Sequence, residues 1–224
     1  MRIESVHVIG SGRVGSAVSA RLGERGVELR EDGAELVLLC VPDAAIPELA
    51  RDLEPGPWIA HTSGGTPLSA LDPHTRRFSV HPLQTFTLER GPEQLDGAWA
   101  AVTGESDEAL EHGFELAMTL GLRPFELADA DRSLYHAGAV FAATFMVTLH
   151  DAAADLMTAA GAPPEALEPL MRRTMENGFV PTGPFIRGDR GTIERHLAAI
   201  DERTPELGRL YRELAEATEA MLVR

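Results

Sequence analysis

Gly10, Gly12 and Gly15 stand at Gly-x-Gly-x-x-Gly spacing directly after an apolar stretch that holds Val6, Val8 and Ile9. In such a pattern the first glycine permits a tight turn off a strand. The second lets a pyrophosphate approach the backbone, and the third lets helix and strand pack closely. Val14, Val18 and Leu22 follow at helical spacing, so unpaired N–H groups and a positive helix end face the same place. Gly10, Ser11, Gly12, Arg13, Val14 and Gly15 are the candidate phosphate cradle. The competing reading is a strand-to-helix turn with no ligand.

Histidine is the second group with chemistry to offer. Its ordinary pKa, about 6.5, suits proton exchange near neutrality, and all twenty basic residues other than histidine are arginine. Lysine-based acid–base or Schiff-base chemistry is therefore excluded. His61 and His81 close apolar runs that read as strands, in His61-Thr62-Ser63-Gly64-Gly65 and His81-Pro82-Leu83-Gln84-Thr85-Phe86. His136 follows Tyr135 near the start of a long helical stretch, which makes it the first candidate to exchange a proton, with Tyr135 to orient a substrate. For each of these rings, packing or capping is the alternative role. Arg187, in Thr182-Gly183-Pro184-Phe185-Ile186-Arg187-Gly188-Asp189, has the planar fork that suits a carboxylate or phosphate. Thr182 and His81 join it as candidate substrate-binding residues, while Asp189 reads as a loop brace or helix cap and His196 as an inward-facing residue of the next helix. The eight histidines are scattered and there is one cysteine, so no metal site is expected. Cys40 reads as a buried structural thiol.

The elements that must position these groups alternate between strand and helix up to about Ala128. Strands are expected at Val27–Glu31, Glu35–Val41, Trp58–Thr62, Phe78–Leu83, Trp99–Thr103 and Arg123–Leu127. Helices are expected from Asp43, as N-cap, to Leu53, and from Ser106 with Leu110, Phe114, Ala117 and Leu120 inward. Asp32, Gly33 and Ala34 leave no room for a crossover helix between the second and third strands, where parallel neighbours need a dozen residues or more. That trims the adenosine side of any nucleotide site. Arg30, Glu31 and Asp32 sit where an acid would bind ribose hydroxyls or an arginine a 2′-phosphate, or they form a solvated turn. Val41, Pro42, Asp43, Thr62, Ser63 and Gly64 fall at strand ends, where an open α/β sheet binds ligands.

Beyond Asp129 helical periodicity dominates. One helix is expected from about Asp131 to Ala160, apolar on several sides; another follows Pro163 and Pro164, then Thr192–Ile200 and Pro205–Leu222. The expected organisation is a Rossmann-type, mostly parallel α/β domain with a truncated second crossover over residues 1–128, and an all-helical domain over 129–224. Acidic residues outnumber basic ones 35 to 20, a net charge of −15, which disfavours nucleic-acid or membrane-surface partners. The apolar run Ala137–Leu149 is too short to span a bilayer and no leader precedes the first strand, so a cytoplasmic location is expected.

The motifs together resemble a known family. VIGSGRVG, His61-Thr62-Ser63-Gly64, His81 to Phe86, Tyr135-His136-Ala137 and the Thr182–Asp189 loop with His196 look like the Rossmann-like proteins whose helical C-terminal half is domain of unknown function 2520. That family is similar in layout to the 6-phosphogluconate-dehydrogenase-like clan, which includes ketopantoate reductases, pyrroline-carboxylate reductases and deazaflavin-dependent NADP reductases. The resemblance implies a nicotinamide cofactor, NADP slightly ahead of NAD, and a homodimer through the helical domain. The expected activity is NAD(P)-dependent oxidation or reduction of a small, anionic metabolite. A nucleotide-sensing or scaffold protein without catalysis is the alternative.

Overall fold

A computed structural model describes residues 3–223. Chain contacts divide the molecule into two compact units, Met1–Phe141 and Ala142–Arg224.

In the first unit the apolar stretches form a seven-stranded sheet in the order β2-β1-β3-β4-β5-β6-β7. β1 (Ser5–Ile9), β2 (Glu28–Leu29), β3 (Leu36–Leu39), β4 (Trp58–His61) and β5 (Arg77–Leu83) run parallel. β6 (Trp99–Gly104) turns antiparallel to β5, and β7 (Arg123–Glu126) is parallel to β6. Side-chain alternation sends the two faces to different cores. Val6, Leu36, Leu38, Ala60, Phe78, Val80, Ala100 and Val102 pack with α1 (Arg13–Glu24) and α3 (Asp107–Thr119). Val37, Leu39 and Ile59 pack on the other face with Ile46 and Ala50 of α2 (Ile46–Asp52). Helices on both faces of a mostly parallel sheet make this a Rossmann-type fold.

The missing crossover is resolved by strand length. β2 and β3 flank β1 from opposite sides, and β2 has only two residues, paired with Ser5 and Val6 at the start of β1. The chain climbs so little along β2 that residues 30–35 suffice to return it to the start of β3. The expected strand Val27–Glu31 shrinks accordingly. Asp43 also departs from expectation: it is not the N-cap but the first residue of a 3₁₀ turn, Asp43–Ala45, whose N-cap is Pro42. Ser106 does cap α3, accepting the Ala109 N–H at 3.2 Å.

The single long helix expected from Asp131 to Ala160 is two. α4 (Arg132–Ala142) and α5 (Thr144–Ala159) are separated at Ala143, whose φ of −114° tilts the peptide out of the helical ladder. The division between units falls there, later than the expected boundary after residue 128, because α4 is anchored into the sheet unit by Arg132. Residues 129–159 are long and apolar enough to cross a membrane by length and composition, with none of their most apolar 18-residue window buried, in contrast to the run Ala137–Leu149 read as too short.

The second unit continues with α6 (Leu167–Glu176), α7 (Arg190–Arg203) and α8 (Gly208–Leu222). Asp189 caps α7 by accepting from the Thr192 N–H at 3.0 Å. Ile200, Thr204 and Gly208 are its buried residues among those described. An apolar cleft of about 130 Å³ lies within the unit, lined by residues that include Leu149, Leu156, Leu210 and Leu214.

Candidate functional site

The three glycines of the loop after β1 are not equivalent. Gly10 has φ +114°, and a Cβ there would stand 2.3 Å from the Cys40 carbonyl oxygen. A Cβ on Gly15 would stand 1.9 Å from the Gly10 carbonyl oxygen. Both positions therefore demand glycine for the fold itself. Gly12 is different: its φ is an ordinary −72° and nothing lies within 4 Å of the place a Cβ would take. Neither strain nor crowding explains glycine there, whereas a group bound against the exposed backbone would. Ser11, Gly12 and Arg13 are exposed at the mouth, with Val14 half-buried behind them. Gly12 leads into α1 with no side-chain cap, so the free N–H groups of the first turn remain available to an anion. The residues fit a dinucleotide's phosphates.

The neighbouring strand ends hold the rest of the expected cofactor side. Val41 is half-buried, Pro42 and Asp43 are exposed, and Thr62 donates its backbone N–H to the Leu39 carbonyl. Cys40 is buried, and burial pushes its thiol up to about 12, which leaves it an inert core residue. Arg30 lies apart: its guanidinium donates to Ser5 Oγ and the Gly33 carbonyl and pairs with Glu28, toward the start of β1 rather than its glycine end.

The histidines are assembled by strand alternation. β4, β5 and β6 direct His61, Ser79, His81 and Thr103 to the face opposite α1 and α3, in registers that set His61 beside Ser79 and Ser79 beside Thr103. α4 covers that region with Arg132, Tyr135 and His136, which share one helix face at i, i+3 and i+4. Tyr135 Oη and His81 Nδ1 are hydrogen-bonded at 2.8 Å, and the His81 and His136 rings meet edge-to-face at 5.8 Å. Between them runs the turn Ser63-Gly64-Gly65-Thr66, closed by the Thr66 N–H donating to Ser63 Oγ at 3.0 Å. A Cβ on Gly64 would stand 2.5 Å from His136 Nδ1 and 2.8 Å from His81 Nε2. The two ring nitrogens crowd one point over Gly64, and His136 Nδ1 is buried there without a hydrogen-bond partner.

Burial, then the positive neighbours, governs the charge of this cluster. Burial first, His136 next and Arg132 after it hold His81 down at about 4, with Asp43 opposing. His61, fully buried, is driven to about 3 by burial and Arg132. Neither of its ring nitrogens is in hydrogen-bond geometry, and the Pro67 backbone favours the proton only weakly. Burial pushes the Tyr135 phenol up to about 12. At neutral pH His61 and His81 are uncharged and Tyr135 keeps its proton, so His81 and Tyr135 form a neutral donor–acceptor pair.

Arg132, which sequence reasoning passed over, is the residue that ties the cluster together. It is 1% exposed and donates through Nε to the Thr66 carbonyl, through one terminal nitrogen to Ser79 and Thr103, and through the other to the Ser63 carbonyl. Its spacing to Tyr135 and His136 was the available signal.

In the second unit Arg187 and Thr182 are exposed, and no hydrogen bond or ion pair holds the Arg187 guanidinium among the described residues. His196 is exposed, contrary to the inward position expected, and its Nδ1 is hydrogen-bonded to Tyr211 Oη of α8 at 2.8 Å. Among the described residues no cluster of three or more His, Cys, Asp or Glu side chains could hold a metal ion.

No curated protein sequence matches the chain. Several solved structures match it over nearly the whole of both chains. A Bacteroides fragilis protein named as a candidate NADP oxidoreductase is 22% identical, with 97% of this chain and 98% of that one covered and a TM-score of 0.81. A Thermotoga maritima protein is also 22% identical, covering 98% and 100%, with a TM-score of 0.78. 1-Pyrroline-5-carboxylate reductase of Streptococcus pyogenes is 15% identical over 96% and 98%, with a TM-score of 0.61. At these identities the likeness establishes the shared Rossmann-type fold. Residues 98–218, more than half of the sequence, match the family described as domain of unknown function (DUF2520), and the chain belongs to that family.

Proposed function

We propose that the protein is a nicotinamide-dinucleotide-dependent oxidoreductase acting on a small anionic metabolite. The observation that carries this reading is Gly12, a glycine that the fold does not need, at the mouth of the loop between β1 and α1. Gly10 to Gly15 would hold the pyrophosphate, with Val41, Pro42, Asp43, Thr62, Ser63 and Gly64 toward the nicotinamide. The cofactor, when bound, supplies the hydride donor or acceptor. His136 exchanges the accompanying proton through its unpartnered Nδ1, while Tyr135 and His81 orient the reacting oxygen or nitrogen. Arg187 and Thr182, both exposed in the second unit, are the candidate residues for binding an anionic group. Arg30 is already committed to Ser5, Gly33 and Glu28, so its proposed role at a 2′-phosphate requires those bonds to break, and NAD or NADP is left to the titration.

The test is a calorimetric titration with NADPH, NADH, NADP and NAD, beside Gly12→Val. Binding in the micromolar range that is lost in the folded variant supports the reading; no binding of any dinucleotide overturns it. A sensor without turnover is the second reading, favoured by the two-residue β2. It predicts dinucleotide binding but no oxidoreductase turnover with any substrate, and indifference to His136→Ala.

The second unit buries too few residues, Ile200, Thr204 and Gly208, for a domain that stands alone. We propose that a second copy covers its exposed Val147, Leu149, Leu170 and Leu214. Light scattering then gives about twice the 24.2 kDa chain mass.

A further inference from the structure

We infer that Arg132 is a positioning residue for the His81–His136 pair, holding the Ser63-Gly64-Gly65-Thr66 turn and the two rings in one frame. The inference rests on the redox reading for its purpose, since it concerns the groups assigned to proton exchange, but its geometry stands independently. The guanidinium is buried, and its four described hydrogen bonds reach both ends of the turn, Ser63 and Thr66, as well as β5 and β6. Tyr135 and His136 lie one helical turn further along α4. The same side chain thus fixes where the helix begins and where Gly64 and Gly65 lie beneath the rings. Glycine at 64 and 65 allows the turn to touch the imidazoles directly: a Cβ on Gly65 would stand 3.3 Å from the His136 ring.

An ordinary structural clamp needs no charge in this place. Burying a cation is costly, and buried ionic groups are often replaced by apolar ones without loss of stability. Here the nearest carboxylate, Asp129, is 4.0 Å from Nε and accepts from the Leu68 N–H, so the cation is only loosely matched. What the charge does is act on the rings. The groups facing His81 are Tyr135, His136 and Arg132 from α4, His61 from β4, and Asp43 from the turn after β3. Of these, Arg132 is the permanent cation, and it favours the uncharged imidazole of both His81 and His61. A neutral His81 can hydrogen-bond Tyr135 and still present Nε2 beside His136. A protonated one would repel a protonated His136.

Arg132→Lys and Arg132→Gln separate the two effects. Lysine keeps the charge but cannot span four acceptors; glutamine keeps two hydrogen-bonding ends but loses the charge. Amide exchange at Gly64, Gly65 and Thr66 and the NMR titration of the His81 ring are the readouts. In Arg132→Lys the turn amides exchange about tenfold faster or more, while His81 titrates as in the wild type. In Arg132→Gln the His81 midpoint rises by about one pH unit. Wild-type exchange and an unchanged His81 midpoint in both variants would overturn the inference. Should the glutamine variant fail to fold, Ser79→Ala removes one acceptor and retains the charge: faster exchange of the turn supports the role, and unchanged exchange refutes it. Dinucleotide titrations in parallel keep the two questions apart. The wild type is the protein titrated, because the Ser63 carbonyl that Arg132 holds belongs to the proposed nicotinamide side. Failure of the wild type to bind would sink the redox reading alone, while the exchange and titration results still decide Arg132.

Discussion

His61→Leu isolates the cost of keeping an imidazole uncharged in the core. His61 is fully buried, neither ring nitrogen is in hydrogen-bond geometry, and burial with Arg132 holds its pKa at about 3. In the unfolded chain the same ring titrates near 6.5. Between these values the unfolded state binds a proton that the folded state refuses, so stability rises with pH across the window and is lost as pH falls from about 6.5 toward 3. The slope for one such ring is about 1.4 kcal/mol per pH unit, or about 2 kcal/mol between pH 7 and pH 5. His81, held at about 4, adds a parallel contribution that both proteins share. Leucine has a similar volume and leaves no buried polar atom, so at pH 7 the variant is as stable as the wild type or more so. Urea unfolding at pH 7, 6 and 5 should show the wild type losing about 2 kcal/mol more than His61→Leu. Parallel pH profiles would refute the reasoning, because they would mean that His61 protonates in the folded state as readily as in the unfolded chain.

Other perturbations follow from single contacts. Gly15→Ala places a methyl group 1.9 Å from the Gly10 carbonyl oxygen; loss of cooperative unfolding by circular dichroism is expected, whereas Gly12→Val melts within a few degrees of the wild type. Ser106→Ala removes the cap that accepts the Ala109 N–H and costs about 1 kcal/mol in urea unfolding. Gln94 is buried, accepts from the Thr87 N–H and donates to the Thr87, Arg90 and Gly91 carbonyls. Gln94→Leu strands those groups, so about 1–3 kcal/mol of stability is lost and proteolysis should cut first between Thr85 and Gly91.

Much of this molecule follows from local sequence. The apolar runs, the glycine loop, the Ser106 and Asp189 caps and the change to helical periodicity are properties of short stretches, governed by steric and hydrogen-bonding rules that act within a few residues. The absence of a crossover between β2 and β3 was legible for the same reason: Asp32 to Ala34 leave no length for a helix. Tertiary structure decided what depends on register. His61, Ser79, His81 and Thr103 come to one face only because β4, β5 and β6 pair with matching alternation, and no local rule reports that pairing. Arg132 was overlooked because a charged residue at a helix start reads as solvated, and only its four acceptors on other elements make burial affordable. Gly10, Gly12 and Gly15 look alike as letters. Contacts with Cys40 and with the loop's own carbonyl make two of them requirements of the fold, and leave Gly12 open to a ligand.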